Sequence, residues 1–285
     1  MKLRAPLTAA ALLATASIAA QAQARPMTPE DVAKIEAVGT IAVSPDGSRI
    51  AYTTASLPDV TEGEENGTTT QQLSMAYGPG NAREFLPDDM NVSGVQFSPD
   101  GRVVSFMWAD GKDEKTAVWG IPVDGGAQRK LAHVKGAAVR SYAWSPDGSH
   151  MHLLVAAEED KDRTKQNKAG FNSVVYEEEQ QLNRLFRARI GGELDAEPQQ
   201  VTVPGYVTSF QIADDARIGV IETAPTTQID DEYVNKKVNI LDMASGDVRM
   251  VINTPGKIDD VEISPDASQL ALIAAVDMND PAATT

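Results

Sequence analysis

The feature that most constrains this chain is a four-residue turn, Ser-Pro-Asp-Gly, which recurs along the sequence. Proline sets φ at about −65° at the second position, the Ser and Asp side chains bond neighbouring backbone groups, and glycine closes the turn at little steric cost. Each copy follows an apolar residue and precedes an alternating run such as Arg49-Ile50-Ala51-Tyr52, so it is predicted to join two strands. The copies are Ser44-Pro45-Asp46-Gly47, Ser98-Pro99-Asp100-Gly101, Ser145-Pro146-Asp147-Gly148 and the altered Ser264-Pro265-Asp266-Ala267. We therefore expect their aspartates and glycines to be structural.

The spacing of the turns predicts the fold. A fifth, eroded copy at residues 212–218 keeps Asp215, and from aspartate to aspartate the spacings are 54, 47, 68 and 51 residues. A period near fifty, built from short strands, is typical of β-propeller blades. A second hairpin follows in each unit, as in residues 117–123, which lead into Asp124-Gly125-Gly126. The sequence thus predicts an all-β fold: a β-propeller of four-stranded blades over residues 38–285.

The predicted ring is incomplete. Only the first hairpin of the fifth unit, residues 261–276, is expected before the sequence stops, which gives about four and a half blades. A natural truncation at this point would leave an unpaired sheet edge, which is an aggregation liability, so the chain is interpreted as a fragment of a longer protein.

Charge and cysteine content exclude several functions. The formal net charge of −16 argues against nucleic-acid binding, since that affinity depends on Lys and Arg neutralising phosphates. The absence of cysteine excludes disulfides and thiolate metal sites. No metal and no cofactor is expected.

The N-terminus predicts export. Lys2 and Arg4 precede an alanine-rich apolar run and small-residue cleavage sites, so residues 1–24 are interpreted as a cleaved signal peptide. No later stretch is apolar enough to span a membrane, which predicts a periplasmic or secreted product. Residues 25–37 are interpreted as a lead-in helix that packs on the first blade, because Thr28-Pro29-Glu30-Asp31 combines a cap residue, a proline at the first helical position and early acids.

The connections between the second and third strands of each unit are the longest and most polar segments. They carry 17 acidic and 8 basic residues, a net −9 of the total −16. Equivalent connections of a propeller emerge on one face, so this face is expected to be strongly negative and to carry binding. One connection contains an insertion with a charge run at residues 158–163, interpreted as a solvated loop. The connections are residues 56–72, 109–116, 158–182 and 224–237.

The hairpins, the signal peptide and the Thr28-Pro29-Glu30-Asp31 lead-in resemble the N-terminal propeller of secreted serine peptidases of the prolyl oligopeptidase family. The resemblance covers nearly the whole mature chain. It implies a non-catalytic half that covers the active site of a following α/β-hydrolase domain and selects short peptide substrates. The partners it implies are therefore a peptide and a C-terminal hydrolase domain.

This sequence departs from that family because no Gly-x-Ser-x-Gly nucleophile elbow occurs in it. None of His133, His150 and His152 lies in a motif that suggests a catalytic base, so no catalytic residue is assigned. Similar hairpins occur in the Tol-system periplasmic propeller, which makes a protein-interaction scaffold the alternative. A lactonase-like propeller enzyme with a channel metal is a third hypothesis.

One candidate substrate-binding site comes from the resemblance. Tyr176-Glu177-Glu178-Glu179 looks like the glutamate motif with which dipeptidyl peptidases of the family hold a free amino terminus, with Glu178 and Glu179 as anchors. Paired carboxylates suit an ammonium group, which accommodates several charge-assisted acceptors. The competing interpretation is an exposed polar turn, because residues 183–192 are predicted to form a strand of the same blade.

Other candidates have plainer interpretations. His150 and His152 share one face of a predicted strand and suit a metal with a third ligand, but ordinary solvent-facing histidines are expected. Asp110-Gly111-Lys112-Asp113-Glu114 weakly suggests calcium, yet it lacks the EF-hand spacing and is interpreted as a loop. The tryptophans at 108, 119 and 144 are predicted to be core residues.

Overall fold

A computed structural model describes most of the chain: residues 25–60, 62–63, 65, 67–87, 90–111, 114–156, 161–173, 182–191, 197–214, 217–243, 245, 247–277 and 280–284. Their strands form five antiparallel sheets in chain order, four with four strands and one with three. Each sheet is a meander in which every strand pairs with its sequence neighbours. The predicted all-β fold of four-stranded units is confirmed.

The strand bounds follow the predicted repeat. Sheet 1 contains β1 Ala37–Val43, β2 Ile50–Ser56, β3 Thr70–Ala76 and β4 Ala82–Glu84; sheet 2 contains β5 Ser93–Phe97, β6 Val103–Trp108, β7 Ala117–Pro122 and β8 Arg129–Ala132. Sheet 3 contains β9 Val139–Trp144, β10 His150–Val155, β11 Arg184–Arg189 and β12 Gln199–Gln200; sheet 4 contains β13 Tyr206–Ile212, β14 Ile218–Ala224, β15 Lys237–Asp242 and β16 Val248–Ile252. Sheet 5 contains β17 Ile258–Ile263, β18 Leu270–Asp277 and β19 Asp280–Thr284.

The repeated turns are held by the same hydrogen bonds in each copy. In the first turn Ser44 Oγ donates to Asp46 Oδ1 at 2.7 Å and accepts from the Arg49 backbone N–H at 2.9 Å. The other three copies repeat both contacts, between Ser98 and Asp100, Ser145 and Asp147, and Ser264 and Asp266. The serine hydroxyl therefore links the aspartate to the start of the second strand.

Successive turns lie side by side at one end of the sheets. Pro45 of the first turn lies against Gly101 of the second, and Pro99 of the second lies near Gly148 of the third. Such contacts between equivalent turns are expected when neighbouring sheets stack side by side about a common axis.

Apolar clusters fill the spaces between successive sheets. One cluster joins sheets 1 and 2 through Leu73, Met75 and Phe106. The next three join sheets 2 and 3, sheets 3 and 4, and sheets 4 and 5 in the same way. No cluster of the described residues joins sheet 5 to sheet 1, so these five sheets form an open array.

The two end sheets leave apolar side chains uncovered. Ile41, Val43 and Ile50 lie on the outer face of sheet 1 and are 61%, 59% and 41% exposed. On sheet 5, Ile273 is 47% exposed. These positions correspond to those that are buried where two sheets meet, because strand side chains alternate between the two faces.

Sheet 5 differs from its prediction by one strand. Only one hairpin was expected there, but β19 pairs with β18 through Ala275 and Thr284 and through Asp277 and Asp280. Sequence patterning misses β19 because it contains Pro281 and two alanines, which have low strand propensity, and an edge strand tolerates such residues.

Three short helices flank the sheets: α1 Pro29–Ala33, α2 Lys161–Lys168 and α3 Ile229–Tyr233. Helix α1 has the predicted cap, since Thr28 and Asp31 bond each other's backbone N–H groups. It covers five residues of the predicted interval 25–37 and fully buries none of them. None of the helices in the described part of the chain is long and apolar enough to span a bilayer.

A matched pair of substitutions tests the backbone requirement of the turns. Gly47 has φ of +70°, and a Cβ added there meets no atom within 4 Å, whereas Ala267 holds φ of +56° at the equivalent position. We expect Gly47→Ala to lower the free energy of unfolding by about 1 kcal/mol through left-handed strain. Ala267→Gly should raise it by about 0.5 kcal/mol, because relieved strain exceeds the added unfolded-state entropy. Urea denaturation measures both, and a lower midpoint for Ala267→Gly would contradict this account.

The turn aspartates predict a stability change in acid. Hydrogen bonds from Ser145 and then from Ser149 lower the pKa of Asp147 to about 2 from an ordinary 3.8. A lowered carboxyl pKa contributes stability above the unfolded value, and that stability is lost as the pH falls from about 4 towards about 2. Thermal melts of Asp147→Asn should therefore fall less steeply than those of the unmodified chain in that window. Asp110→Asn, in the exposed β6–β7 loop, is the control and should melt like the unmodified chain.

Candidate functional site

The connections between second and third strands project from one end of the sheets. Strands alternate in direction within each meander, so the Ser-Pro-Asp-Gly turns lie at the opposite end. We call the first end the loop face, formed by the described residues within 57–69, 109–116, 156–183 and 225–236, and the other end the turn face. The loop face has the position that the sequence predicts for the acidic connections.

Two of these connections contain helices that the sequence did not predict. Helix α2 lies in the long β10–β11 connection, where the charge run was interpreted as a solvated loop, and it buries no residue. Helix α3 lies in the β14–β15 connection and is equally exposed. Helix α2 has no apolar stripe, and α3 is only five residues long with two apolar residues, so neither carries the sustained apolar periodicity that predicts a helix.

Helix α3 is fixed to sheet 4 by polar contacts. Asp231 accepts from Thr226 Oγ1 at 2.5 Å and from Asn235 Nδ2 at 2.8 Å. Tyr206, at the start of β13, donates its hydroxyl to Glu232. Burial and the neighbouring Glu232 carboxylate raise the pKa of Tyr206. These contacts hold the carboxylates of α3 in a defined position on the loop face.

Lys257 supports the same region from the connection between sheets 4 and 5. Its Nζ lies 3.3 Å from Tyr233 Oη, 4.8 Å from the centre of the Tyr233 ring and 3.2 Å from Asp259 Oδ2. The Lys257 side chain is therefore engaged by a cation–π contact and an ion pair together. Tyr233 therefore has two contacts with Lys257, although 48% of it is exposed.

Large apolar side chains stand among the acids of the loop face. Phe171 is 71% exposed and Ile229 is 68% exposed, while Leu57, Val60 and Tyr233 are about half exposed. Sequence analysis missed them because it treated these connections as uniformly polar. A large apolar residue inside a polar insertion is the signal that would have identified Phe171.

Glu178 and Glu179 lie outside the described residues, as do Tyr176 and Glu177. The structure does place β11, which follows them, as the third strand of sheet 3. The motif therefore precedes a strand of its own sheet, which is the departure from the family pattern expected from the sequence.

The two strand histidines have different environments. His150 and His152 lie on β10 opposite Arg189 and Arg187 of β11, on the sheet face that carries Leu154 towards sheet 4. His150 is half-buried, whereas His152 is only 1% exposed and neither of its ring nitrogens has a hydrogen-bond partner. The expectation that both face solvent is wrong for His152, because the packing of sheet 4 on sheet 3 covers this position.

The described residues around these histidines were compared with the ligand sets that metal ions need. In the described ranges, no group of three or more His, Asp or Glu side chains has an arrangement that could hold a metal ion. Asp110 and Glu114 are exposed in the β6–β7 connection, while Lys112 and Asp113 lie outside the described residues.

The three tryptophans contribute to the packing between sheets. Trp108 and Trp119 meet edge to face with ring centres 4.9 Å apart and pack on the first apolar cluster. Trp144 packs on the second cluster and donates Nε1–H to Ser105 Oγ at 2.9 Å.

Comparisons with known proteins identify the architecture. The acylaminoacyl peptidase of Pyrococcus horikoshii superposes with a TM-score of 0.59 at 12% identity, over 87% of this chain and 37% of that chain. TolB from Acinetobacter baumannii superposes with a TM-score of 0.51 at 15% identity, over 84% of this chain and 49% of that chain. The chain has a β-propeller fold. Each sheet is one blade of the propeller, and the described blades leave the ring open.

Sequence comparison adds a partial relative. The propeller is 38% identical over 89 residues to tricorn protease homolog 2 of Streptomyces coelicolor, a match that covers 30% of this chain and 7% of that protein. No family model matches the chain. The chain spans less than half the length of each of these three proteins. These similarities agree with the resemblance to peptidase-family propellers, and the TolB propeller shares the fold.

The buried histidine predicts a second pH effect on stability. Burial, followed by the positive charges of Arg187 and His150, lowers the pKa of His152 to about 4 from an ordinary 6.5. The unfolded chain then binds the proton first, so stability falls as the pH drops from about 6.5 to about 4, by up to about 3 kcal/mol. His152→Leu should remove this loss, measured as the change in melting temperature between pH 7 and pH 5. His150→Gln, at the half-buried neighbour, should reduce the loss less, and an unchanged loss in His152→Leu would contradict the prediction.

Proposed function

We propose that this chain is the non-catalytic propeller portion of a secreted serine peptidase of the prolyl oligopeptidase family. Its loop face binds peptides and selects those that reach an α/β-hydrolase domain in the full-length protein. The observation that carries the proposal is the combination of carboxylates and exposed large apolar side chains on a single end of a rigid propeller. The 38% identity to part of a tricorn protease homologue and the fold shared with an acylaminoacyl peptidase support a peptidase context.

The loop face has the charge to attract peptides with free amino termini or basic side chains. Described acids occur in every one of its four connections, and Lys34 pairs with two of them, Asp59 at 3.5 Å and Glu62 at 3.3 Å. A surface with an excess of one charge sign raises the association rate of oppositely charged ligands. The described acids are Asp59, Glu62, Glu65, Asp110, Glu114, Asp162, Asp230, Asp231 and Glu232.

The exposed apolar side chains of the loop face supply short-range contacts to a bound peptide, in addition to the long-range attraction between charges. Exposed aromatic and aliphatic residues are the groups that most often dominate binding energy once a ligand covers them. Phe171 and Ile229 stand on different connections, so an extended peptide that touches both is held at two points. Glu178 and Glu179 belong to the connection that carries Phe171, where paired carboxylates are suited to accept the amino terminus of the peptide.

Hydrolysis of the peptide bond is assigned to the hydrolase domain. The 285 residues contain no Gly-x-Ser-x-Gly string. Pure chain is therefore expected not to hydrolyse aminoacyl-nitroanilides, and turnover by pure material would contradict the non-catalytic assignment. The signal-like residues 1–24 support a periplasmic or secreted location, which N-terminal sequencing of the exported protein tests.

A protein-interaction scaffold of the Tol type is the alternative, favoured by the fold shared with TolB. The coding sequence after residue 285 separates the two. A domain that contains Gly-x-Ser-x-Gly supports the peptidase proposal, and a stop codon there supports the scaffold.

Peptide binding by the loop face is tested with fluorescently labelled tetrapeptides that have a free amino terminus and an apolar second residue. Fluorescence anisotropy should show saturable binding that weakens as salt rises, because screening reduces attraction between exposed charges. Phe171→Ser and Ile229→Ser should each weaken binding at least about fivefold, as expected for loss of an apolar anchor.

Met250→Ser is the matched control. Met250 is 55% exposed on β16, the outer strand of sheet 4, and lies outside the loop face. Its substitution should leave the dissociation constant unchanged. Equal weakening in all three variants, or no binding of an amino-terminal peptide at all, would contradict a peptide site on this face.

A further inference from the structure

Helix α3 uses two of its three acids to hold itself on the propeller and leaves the third without a partner. Successive residues of an α-helix are about 100° apart around the axis, so Asp231 and Glu232 lie on one side of α3. On that side both carboxylates accept hydrogen bonds from neighbouring side chains. Asp230 is exposed, and its carboxylate forms no hydrogen bond or ion pair within the described ranges. Asp230 is therefore available to a cation from outside the chain.

The side of α3 that carries Asp230 also carries two large exposed side chains. Ile229 and Tyr233 are the first and last residues of the helix and lie one turn apart. Around the helix axis, Tyr233 lies between Ile229 and Asp230, about 40° from the first and about 60° from the second. We call these three residues the α3 patch. The patch places an aliphatic side chain, an aromatic ring and an unpaired carboxylate side by side.

Lys257 holds one side of the patch in place. Its Nζ lies over the Tyr233 ring, 4.8 Å from the ring centre, and the Lys257 charge is balanced by Asp259 Oδ2 at 3.2 Å. Lys236, three residues after Tyr233, is also paired, with Glu222 at 3.2 Å. Lys257 covers one face of the ring, which leaves the exposed surface of Tyr233 to other partners. The lysines next to the patch are thus neutralised, whereas the carboxylate of the patch is not.

We propose that the α3 patch is a subsite of the loop face that selects peptides with an arginine side chain. A guanidinium group is planar, stacks on aromatic rings and donates paired N–H groups to a carboxylate. In the subsite it stacks on Tyr233 and donates to Asp230, while the methylene groups of the arginine pack on Ile229. The subsite rests on the proposed function, since the rest of the loop face supplies the other contacts to the peptide.

The three components of the patch distinguish arginine from other side chains. Lysine has the charge and the aliphatic stem, but its ammonium group is compact, more strongly hydrated and unable to stack as a plane. Citrulline has nearly the shape of arginine and no charge, so it keeps the packing and loses the ion pair. The expected order of affinity is therefore arginine, then lysine, then citrulline.

Fluorescence anisotropy tests the order with labelled tetrapeptides that have a free amino terminus and an apolar second residue. The third residue is arginine, lysine or citrulline, the protein is the whole chain, and the ionic strength is low because salt screens exposed charges. The arginine peptide should bind at least about fivefold more tightly than the citrulline peptide, a gain typical of an exposed ion pair combined with a cation–π contact. The lysine peptide should lie between them.

Variants of the patch should change the ratio of the two dissociation constants, citrulline over arginine. Asp230→Asn should bring the ratio to about one, and Tyr233→Leu should lower it. Tyr233→Phe should keep most of it, because the ring remains although the hydroxyl that Lys257 bonds is lost. Asp214→Asn is the matched control, since Asp214 is an exposed acid of the same sheet that lies in the β13–β14 turn on the turn face. It makes the same change in net charge and should leave the ratio unchanged.

The outcomes separate this subsite from the loop-face site as a whole. If none of the three peptides binds, both the loop-face site and the arginine subsite are wrong. If all three bind equally, the loop face binds peptides and the arginine subsite alone is overturned. The same conclusion follows if the preference for arginine survives Asp230→Asn or is lost equally in Asp214→Asn.

Discussion

Each interior blade of this propeller has to bury both of its faces, because successive side chains of a strand point to opposite sides. In β6, Phe106 enters the cluster shared with sheet 1, and the next residue, Met107, packs on the cluster shared with sheet 3. A fully buried side chain of this size contributes about 1.5–3 kcal/mol. An isolated sheet would expose these side chains and lose that stabilisation, so the stability of every blade depends on its neighbours.

Hydrogen bonds between adjacent blades fix their relative positions. Gln96 and Gln211 occupy equivalent positions, each two residues before the first residue of the turn. Each donates a side-chain amide N–H to a backbone carbonyl oxygen of the next blade. The acceptors are Tyr142 O at 2.8 Å and Val261 O at 2.7 Å. Ser105 receives the Tyr142 hydroxyl and the Trp144 indole N–H, both at 2.9 Å, between blades 2 and 3. Register shifts near the start of the first strand recur in all five first hairpins. Such bulges increase the local twist of the strand where the blades converge.

The two ends of the propeller have different character. The loop face combines carboxylates with exposed apolar side chains, while the turn face carries the repeated hydrogen-bonded turns. Hairpin connectivity separates the two, because it sends the long connections to one end and the tight turns to the other. Loops on a rigid set of strands are where binding residues usually lie.

The sequence by itself determined the local features of the fold. Ser44, Asp46 and Gly47 set the turn through hydrogen bonds and φ preferences that involve six consecutive residues, so their repetition was enough to predict hairpins, blades and the open ring. It also placed the acidic connections on one face, since antiparallel pairing leaves no other choice.

The tertiary structure determined the features that depend on two blades or on segments far apart in the sequence. His152 was expected at the surface because alternation does not say which face another sheet will cover, and sheet 4 covers it. The energetics of a turn depend on short runs of residues, whereas burial arises from packing between strands far apart in the sequence, which short runs do not encode.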